Sequence, residues 1–356
     1  MKKRYDNVDF IKFIAILMVI SLHIPVWADD FISVHSKARI IQYAFRIVAE
    51  GVPFFVTMNG FLMLQKSVFD LKKHINKCIK LVELLFVWAF IIIICSTFIL
   101  GTIGELTIKE FLKYTFETGI NATYTGVLWF LQNLLAVYFI FPILWKIYHD
   151  DTKLFCYFFV IITIFIPGIS LLGLIRDSMI CFAGNYDLDM VIKFLNRFNP
   201  IGNGWFVYYF CLGGLIGKYT ETIRKRRNEF IILGFISWLV AFVYGYYMSM
   251  KQGILYNHAF NYSSIFMVLF IIGIFALTLN FDAKKNIFTK ISSKIGRNTF
   301  GMYVVHVIII RLITKYYNIQ NLRSRLAVYI IVVVVSYFFT ELLSKNKYLR
   351  KIVMTS

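Results

Sequence analysis

The sequence predicts an all-α, polytopic integral membrane protein of about ten transmembrane helices, with both termini in the cytoplasm. Three observations carry this. Of the 356 residues, 59% are hydrophobic and only 16% are charged, and the mean hydropathy is +0.70, too apolar for a soluble globule of ordinary composition. Apolar runs long enough to cross about 30 Å of hydrocarbon recur along the whole chain. Finally, 24 of the 38 Lys and Arg residues fall in alternate interhelical segments, and loops rich in these residues stay in the cytoplasm.

The runs lie at 8–28, 40–64, 79–100, 128–147, 153–173, 203–219, 229–249, 262–281, 298–314 and 325–343. Ten spans leave no room for a second domain, so residues 1–345 read as one membrane domain and 346–356 as a short basic cytoplasmic tail. With the N-terminus inside, the segments holding Lys72, Arg226 and Lys284 are cytoplasmic, and those holding Asp30, Glu110 and Asp187 are outside. Topology and the attraction of anionic membrane lipids then account for the formal net charge of +19 without invoking nucleic acid. The five cysteines show no paired or CxxC spacing, so neither a disulfide framework nor a metal site is expected. No phosphate-cradling, dinucleotide-binding, zinc-protease or serine-hydrolase motif stands in a credible context, which argues against a nucleotide-driven pump and a metalloprotease.

The first run concentrates the chemistry. Asp9, Lys12 and His23 are all costly in lipid. Lys12 and His23 stand eleven positions apart, within about 20° of three full turns, so they share a face at an axial separation of about 16 Å. A cleavable signal peptide ending at Val26-Trp27-Ala28 is the competing reading, but Asp9 and Lys12 sit where its uncharged core belongs. Lys12 and His23 snorkelling to opposite surfaces is another.

The second run holds Arg46 and Glu50 just before Gly51 and Pro53, which predicts a broken or kinked helix of the kind tolerated where freed backbone lines a cavity or finds protein partners. The same two side chains also fit a self-neutralising pair at i, i+4. The segment from Phe69 to Lys80 is basic and partly amphipathic, and is expected to lie along the membrane surface. Trp129 reads as an interfacial anchor, with Gln132 and Asn133 one turn deeper facing the same outer cavity as His23, and Pro142 as a kink further in. The polar stretch 174–202, with Trp205 beside it, has the composition of a carbohydrate-binding surface and equally of an ordinary exposed loop. In the ninth run Tyr303 and His306 lie near mid-membrane. His306 fits either a polar passage or a buried histidine bonded to a neighbouring helix.

Taken in order, Asp9-Phe-Ile-Lys12 with His23, then Val52-Pro53-Phe54-Phe55 into Asn59-Gly60-Phe61, Leu128-Trp129-Phe130-Leu131, Gly213-Gly214, and Thr299-Phe300-Gly301-Met302-Tyr303 with His306 closely resemble the membrane-bound acyltransferase family 3. This family contains surface-polysaccharide and peptidoglycan O-acyltransferases. The resemblance covers essentially the whole chain. It implies a ten-helix core in a bacterial plasma membrane that binds no cofactor. Such a core passes an acyl group from cytoplasmic acyl-CoA, usually acetyl-CoA, to a hydroxyl of an extracytoplasmic glycan or lipid-linked saccharide. Lys12 matches the family's basic position, where Arg is commoner, and His23 its histidine. Asn59 stands where Ser often precedes the Gly.

On the placement of these residues together with that resemblance, His23 and Glu50 are the expected catalytic residues, and Lys12 and Asp9 the donor-binding ones. Arg46, Asn59, Trp129, Gln132, Asn133, Tyr303 and His306 are expected in support. Some relatives append an extracytoplasmic esterase-like domain. This chain ends soon after its last span, so the expectation is direct acylation or hand-on to a separate extracytoplasmic transferase. Two other classes stay open: a transporter or flippase for a lipid-linked sugar, which also needs intramembrane charge and broken helices, and a non-catalytic partner of a polysaccharide synthase.

Overall fold

The computed structural model describes residues 6–24, 36–117, 122–184, 188–202, 204–282, 285–319 and 321–354. The expectations for Asp30, Asp187, Lys284 and the Val26-Trp27-Ala28 site lie outside the described residues. Among those described there are helices and no strands, as the hydropathy pattern requires of a chain crossing lipid.

In chain order the helices are α1 (Asp6–His23), α2 (Ser36–Ile47), α3 (Val52–Leu64), α4 (Leu71–Ile94), α5 (Ile108–Phe116), α6 (Trp129–Asp150), α7 (Thr152–Thr163), α8 (Ile169–Ala183), α9 (Asp189–Asn196), α10 (Trp205–Lys218), α11 (Thr220–Lys225), α12 (Arg227–Gln252), α13 (Ile265–Thr278), α14 (Ile287–Arg297), α15 (Thr299–Tyr316), α16 (Leu322–Lys345) and α17 (Arg350–Val353). Eight stretches among the described residues are long and apolar enough to span a bilayer, and they correspond to eight of the ten expected runs. The remaining two are α1, with Asp6, Asp9 and Lys12 in its 18 residues, and α10, whose 14 residues reach only about 21 Å. Both are sheathed by other helices. Nine residues of α1 are buried, as are nine of α10, so neither needs a continuous lipid-compatible surface.

Close backbone approach sets the centre of the bundle. A Cβ on Gly60 of α3 would run into the Phe210 carbonyl of α10, and one on Gly213 into the Thr57 carbonyl of α3. The two glycines therefore let α3 and α10 cross in backbone contact, the small-residue packing that membrane helices use in place of a hydrophobic driving force. Gly51, at the break between α2 and α3, lies equally close to the Ala15 carbonyl of α1. Pro53 in the first turn of α3 is pre-set for a helix start. The predicted interruption of this span is thus present, and it is wedged against α1.

Two expectations need correction. The segment 69–80 does not lie flat on a surface: Asp70 caps the Lys73 amide and starts a helix that continues into the third span, because nothing between Lys80 and Leu81 breaks it. The fifth span does not end near residue 173. It passes a π-turn at Ile164–Gly168 that absorbs Pro167 and continues to Ala183, so the polar excursion is shorter than its composition suggests. The basic stretch after residue 345 packs on the bundle where it is described, with Val353 fully buried and Trp88 donating to the Ile352 carbonyl at 2.8 Å.

The interhelical segments sort into two ends. At one end Gly296 lies against the Asp9 backbone, Trp145 donates to the Lys66 carbonyl, Gln65 donates to the Gly214 carbonyl, and Arg227 reaches the Ala276 carbonyl. At the other, Tyr43 donates to Tyr256, Arg311 to Tyr124, Lys315 to Ile99 and Tyr256 to Asp177. The alternation read from Lys and Arg agrees with this sorting, the lysine-rich segments falling at the first end.

Candidate active site

A cavity of about 230 Å³ opens at the lysine-rich end between α1, α3, α4, α6 and α15. Lys12 of α1 lines it together with Lys77 and Lys80 of α4, and its deeper walls are Asn59, Tyr138, Phe130 and Tyr303. Lysines three apart on one helix present the same face, which is how α4 delivers two ammonium groups to one opening. Lys77 sits over the Tyr138 ring at 4.5 Å, a favourable cation–aromatic placement. The Tyr138 hydroxyl donates to Asn59 Oδ1 at 3.1 Å, while Asn59 Nδ2 donates back to the Phe55 carbonyl at 2.9 Å.

Proline in α6 gives this wall its shape. Pro142 has no N–H, so the Tyr138 carbonyl loses its usual donor. The His74 ring of α4 supplies it at 2.8 Å, tying α4 to α6 at the kink.

The deep end of the cavity closes on an aromatic pair. Phe130 and Tyr303 have centroids 5.3 Å apart, and the Tyr303 hydroxyl donates to the Val127 carbonyl at 2.7 Å, in the short 3-10 turn before α6. One turn along α15 from Tyr303 is His306, fully buried, whose ring meets that of His23 edge to face at 4.9 Å. His23 Nδ1 donates to the Val19 carbonyl one turn back at 2.9 Å. This bond fixes the ring and leaves Nε2 as its lone-pair nitrogen.

Beyond the two imidazoles stands an ion pair. Arg46 Nη1 is 2.8 Å from Glu50 Oε1 with both side chains largely buried, Glu50 being at the α2–α3 break. The Glu50 carboxylate acts electrostatically on His23 and faces the Tyr262 hydroxyl. Tyr262 in turn packs on Trp205 with centroids at 4.6 Å and lies near-parallel to Trp129 at 6.1 Å. Three aromatic rings, from α6, α10 and the turn before α13, thus form one group beside Glu50.

Of the residues singled out in the sequence, Lys12, Asn59 and Tyr303 line the cavity, and His23, Glu50, Arg46 and His306 form the cluster beyond it. Trp129 belongs to the aromatic group. Asp9 is buried at the start of α1 beside Gly296. Gln132 and Asn133 fall off the buried stripe of α6, which runs through Leu131, Leu134, Val137, Tyr138 and Phe141. Asn133 is exposed and turns its amide back to the Trp129 carbonyl at 2.9 Å. Lys77, Lys80 and Tyr262 carry no site signal in the sequence, and Trp205 carries only a compositional one.

A largely apolar cavity with lysines in its lining, paired imidazoles and a buried carboxylate thus stand together within a helical membrane bundle. An acyltransferase domain family matches residues 5–343, and the chain belongs to it: this is a membrane acyltransferase of acyltransferase family 3. No curated protein and no solved structure matches the chain.

Proposed function

We propose that this acyltransferase moves an acetyl group from acetyl-CoA, bound from the cytoplasm, to a hydroxyl of an extracytoplasmic glycan in a bacterial plasma membrane. The observation that carries the reading is the continuity of the site: a cavity with three lysines at its mouth ends at Tyr303, one ring from the His306–His23 pair, with an aromatic group beside Glu50. Three ammonium groups suit the phosphates of the donor, and apolar walls suit its pantetheine arm. Aromatic rings backed by a carboxylate suit a sugar, whose faces stack while its hydroxyls hydrogen-bond.

In this mechanism His23 Nε2 takes the proton of the acceptor hydroxyl as its oxygen bonds to the thioester carbonyl carbon, and the C–S bond then breaks to release the CoA thiolate. Glu50 stabilises the imidazolium that forms, and Arg46 holds the Glu50 carboxylate in place. Family membership favours transfer over the transporter and the non-catalytic readings. The deciding experiment compares the ester content of the purified surface glycan in cells with and without this protein. Loss of O-acetyl ester on deletion, restored by the wild-type chain and not by a His23→Ala chain, is expected; unchanged ester content rejects the function.

A further inference from the structure

Helix α14 has 11 residues and reaches only about 16 Å, too short to cross the membrane. It joins two spans at the lysine-rich end, and at about 100° per residue its side chains divide into three sectors. Thr289, Ser292, Ser293 and Gly296 form the first and are buried. Gly296 lies so close to α1 that a Cβ there would strike the Asp9 carbonyl. Ile287, Phe288 and Ile291 form the second, with 76%, 56% and 52% of their surface exposed. The Phe288 ring leans edge-on against Phe10 and Phe13 of α1, with centroids 6.2 Å away in each case. Lys290, Lys294 and Arg297 form the third sector, all exposed, and the helix contains no acid.

Exposed apolar side chains are ordinary on a span, where lipid covers them, but α14 lies between spans. Its burial is inverted: α1 takes the small, hydroxyl-bearing sector and leaves the isoleucines and the phenylalanine uncovered. We propose that α14 lies in the plane of the inner leaflet and binds anionic phospholipid, its apolar sector entering the acyl-chain boundary and its basic sector holding headgroup phosphates. Charge selects this occupant. Lys290 stands one turn from Lys294 and two from Arg297, and like charges so spaced destabilise a helix in water. Glu341 lies 3.5 Å from Lys294 and leaves it half exposed, so the row keeps an anion-seeking face. A second copy of the chain meeting this face about a two-fold axis would bring the same three cations against it, whereas an anionic lipid surface attracts each of them. An apolar sector bordered by lysine and arginine is the form in which interfacial helices bind membranes. Seated this way, α14 brackets the start of α1, with Asp9 and Lys12, to the inner leaflet.

The first test places single spin labels in the full chain, its five native cysteines replaced by Ala, through Ile287→Cys, Ile291→Cys or Lys290→Cys. The chain is held in nanodiscs of phosphatidylcholine and phosphatidylglycerol, and label depth is read from relaxation by oxygen against a water-soluble nickel chelate. We expect the labels at 287 and 291 to lie about 5–10 Å inside the headgroup boundary and the label at 290 to lie outside it. Equal nickel access at all three positions puts the face in water and overturns the proposal. Labels at 287 and 291 closed to both relaxants reveal a covering protein and overturn it as well. The second test needs no cysteine replacement: the wild-type chain and a K290Q/K294Q/R297Q chain are titrated with each phospholipid in detergent, and bound lipid is counted by native mass spectrometry. The triple variant is expected to bind phosphatidylglycerol about tenfold more weakly, the loss of about 1.4 kcal/mol, with phosphatidylcholine binding unchanged. Equal affinity for phosphatidylglycerol in the two chains overturns the headgroup contact.

Discussion

Arg46 Nη1 and Glu50 Oε1 lie 2.8 Å apart across the last turn before the break between α2 and α3, in a span otherwise packed inside the bundle. Removing one partner of a buried pair strands the other charge, at about 3–5 kcal/mol. Arg46→Ala and Glu50→Ala are each expected to lower the yield of folded protein and its thermal midpoint in detergent. Replacing both by Met is expected to recover yield more than activity, because packing substitutes for charge balance but not for the field that Glu50 exerts on His23. A double variant recovering both in full would make the pair purely structural.

The α3–α10 crossing predicts a graded stability series. Gly60→Ala and Gly213→Ala drive a methyl into facing backbone, and overpacking of this kind costs about 1–3 kcal/mol. Gly173→Ala in α8, where a Cβ meets nothing within 4 Å, is expected to be neutral or slightly stabilising. Thermal unfolding followed by size-exclusion fluorescence separates the two classes. Equal midpoints for all three would contradict the backbone contact.

Lys77 and Lys80 share the cavity mouth with Lys12. Each Lys→Ala change is expected to raise KM for acetyl-CoA about tenfold, equivalent to about 1.4 kcal/mol, with kcat little changed. Because the groups are partly exposed, added salt should weaken donor use by the wild type more than by a variant lacking two lysines. Initial rates at two ionic strengths give the comparison, and a salt response identical in both would argue against phosphate recognition there.

The sorting of loops into two ends predicts that cysteines introduced at Lys72 and Arg226 label only from the cytoplasm, and one at Glu110 only from outside. Labelling of intact cells with a membrane-impermeant maleimide reads this directly. External labelling at Lys72 would invert the scheme.

Charge inside an apolar run is visible without a structure, and for that reason Lys12, His23 and the Arg46–Glu50 pair stand out in the sequence, as does the helix break at Gly51 and Pro53. Lys77 and Lys80 do not, because a basic segment before an apolar run reads the same whether it lies on the membrane or forms the first turns of the span. The cap at Asp70 is the local signal that separates the two. Trp205 and Tyr262 are hidden by the abundance of aromatic residues in this chain, and only the packing of α6 against α10 brings them to Trp129. Gln132 and Asn133 mislead in the opposite direction: they are polar and at the right depth, yet the 3.6-residue period of α6 turns them off its buried face. The partnership of His23 with His306 joins residues 283 positions apart, and no local pattern contains it.

Transfer through His23 is tested by the rate at which a His23→Ala chain, inserted at wild-type level, moves labelled acetyl from saturating acetyl-CoA to the glycan. The expected rate is indistinguishable from that of membranes lacking the protein, with acetyl-CoA still bound at wild-type affinity. A His23→Ala chain that acylates the glycan at the normal rate would contradict it.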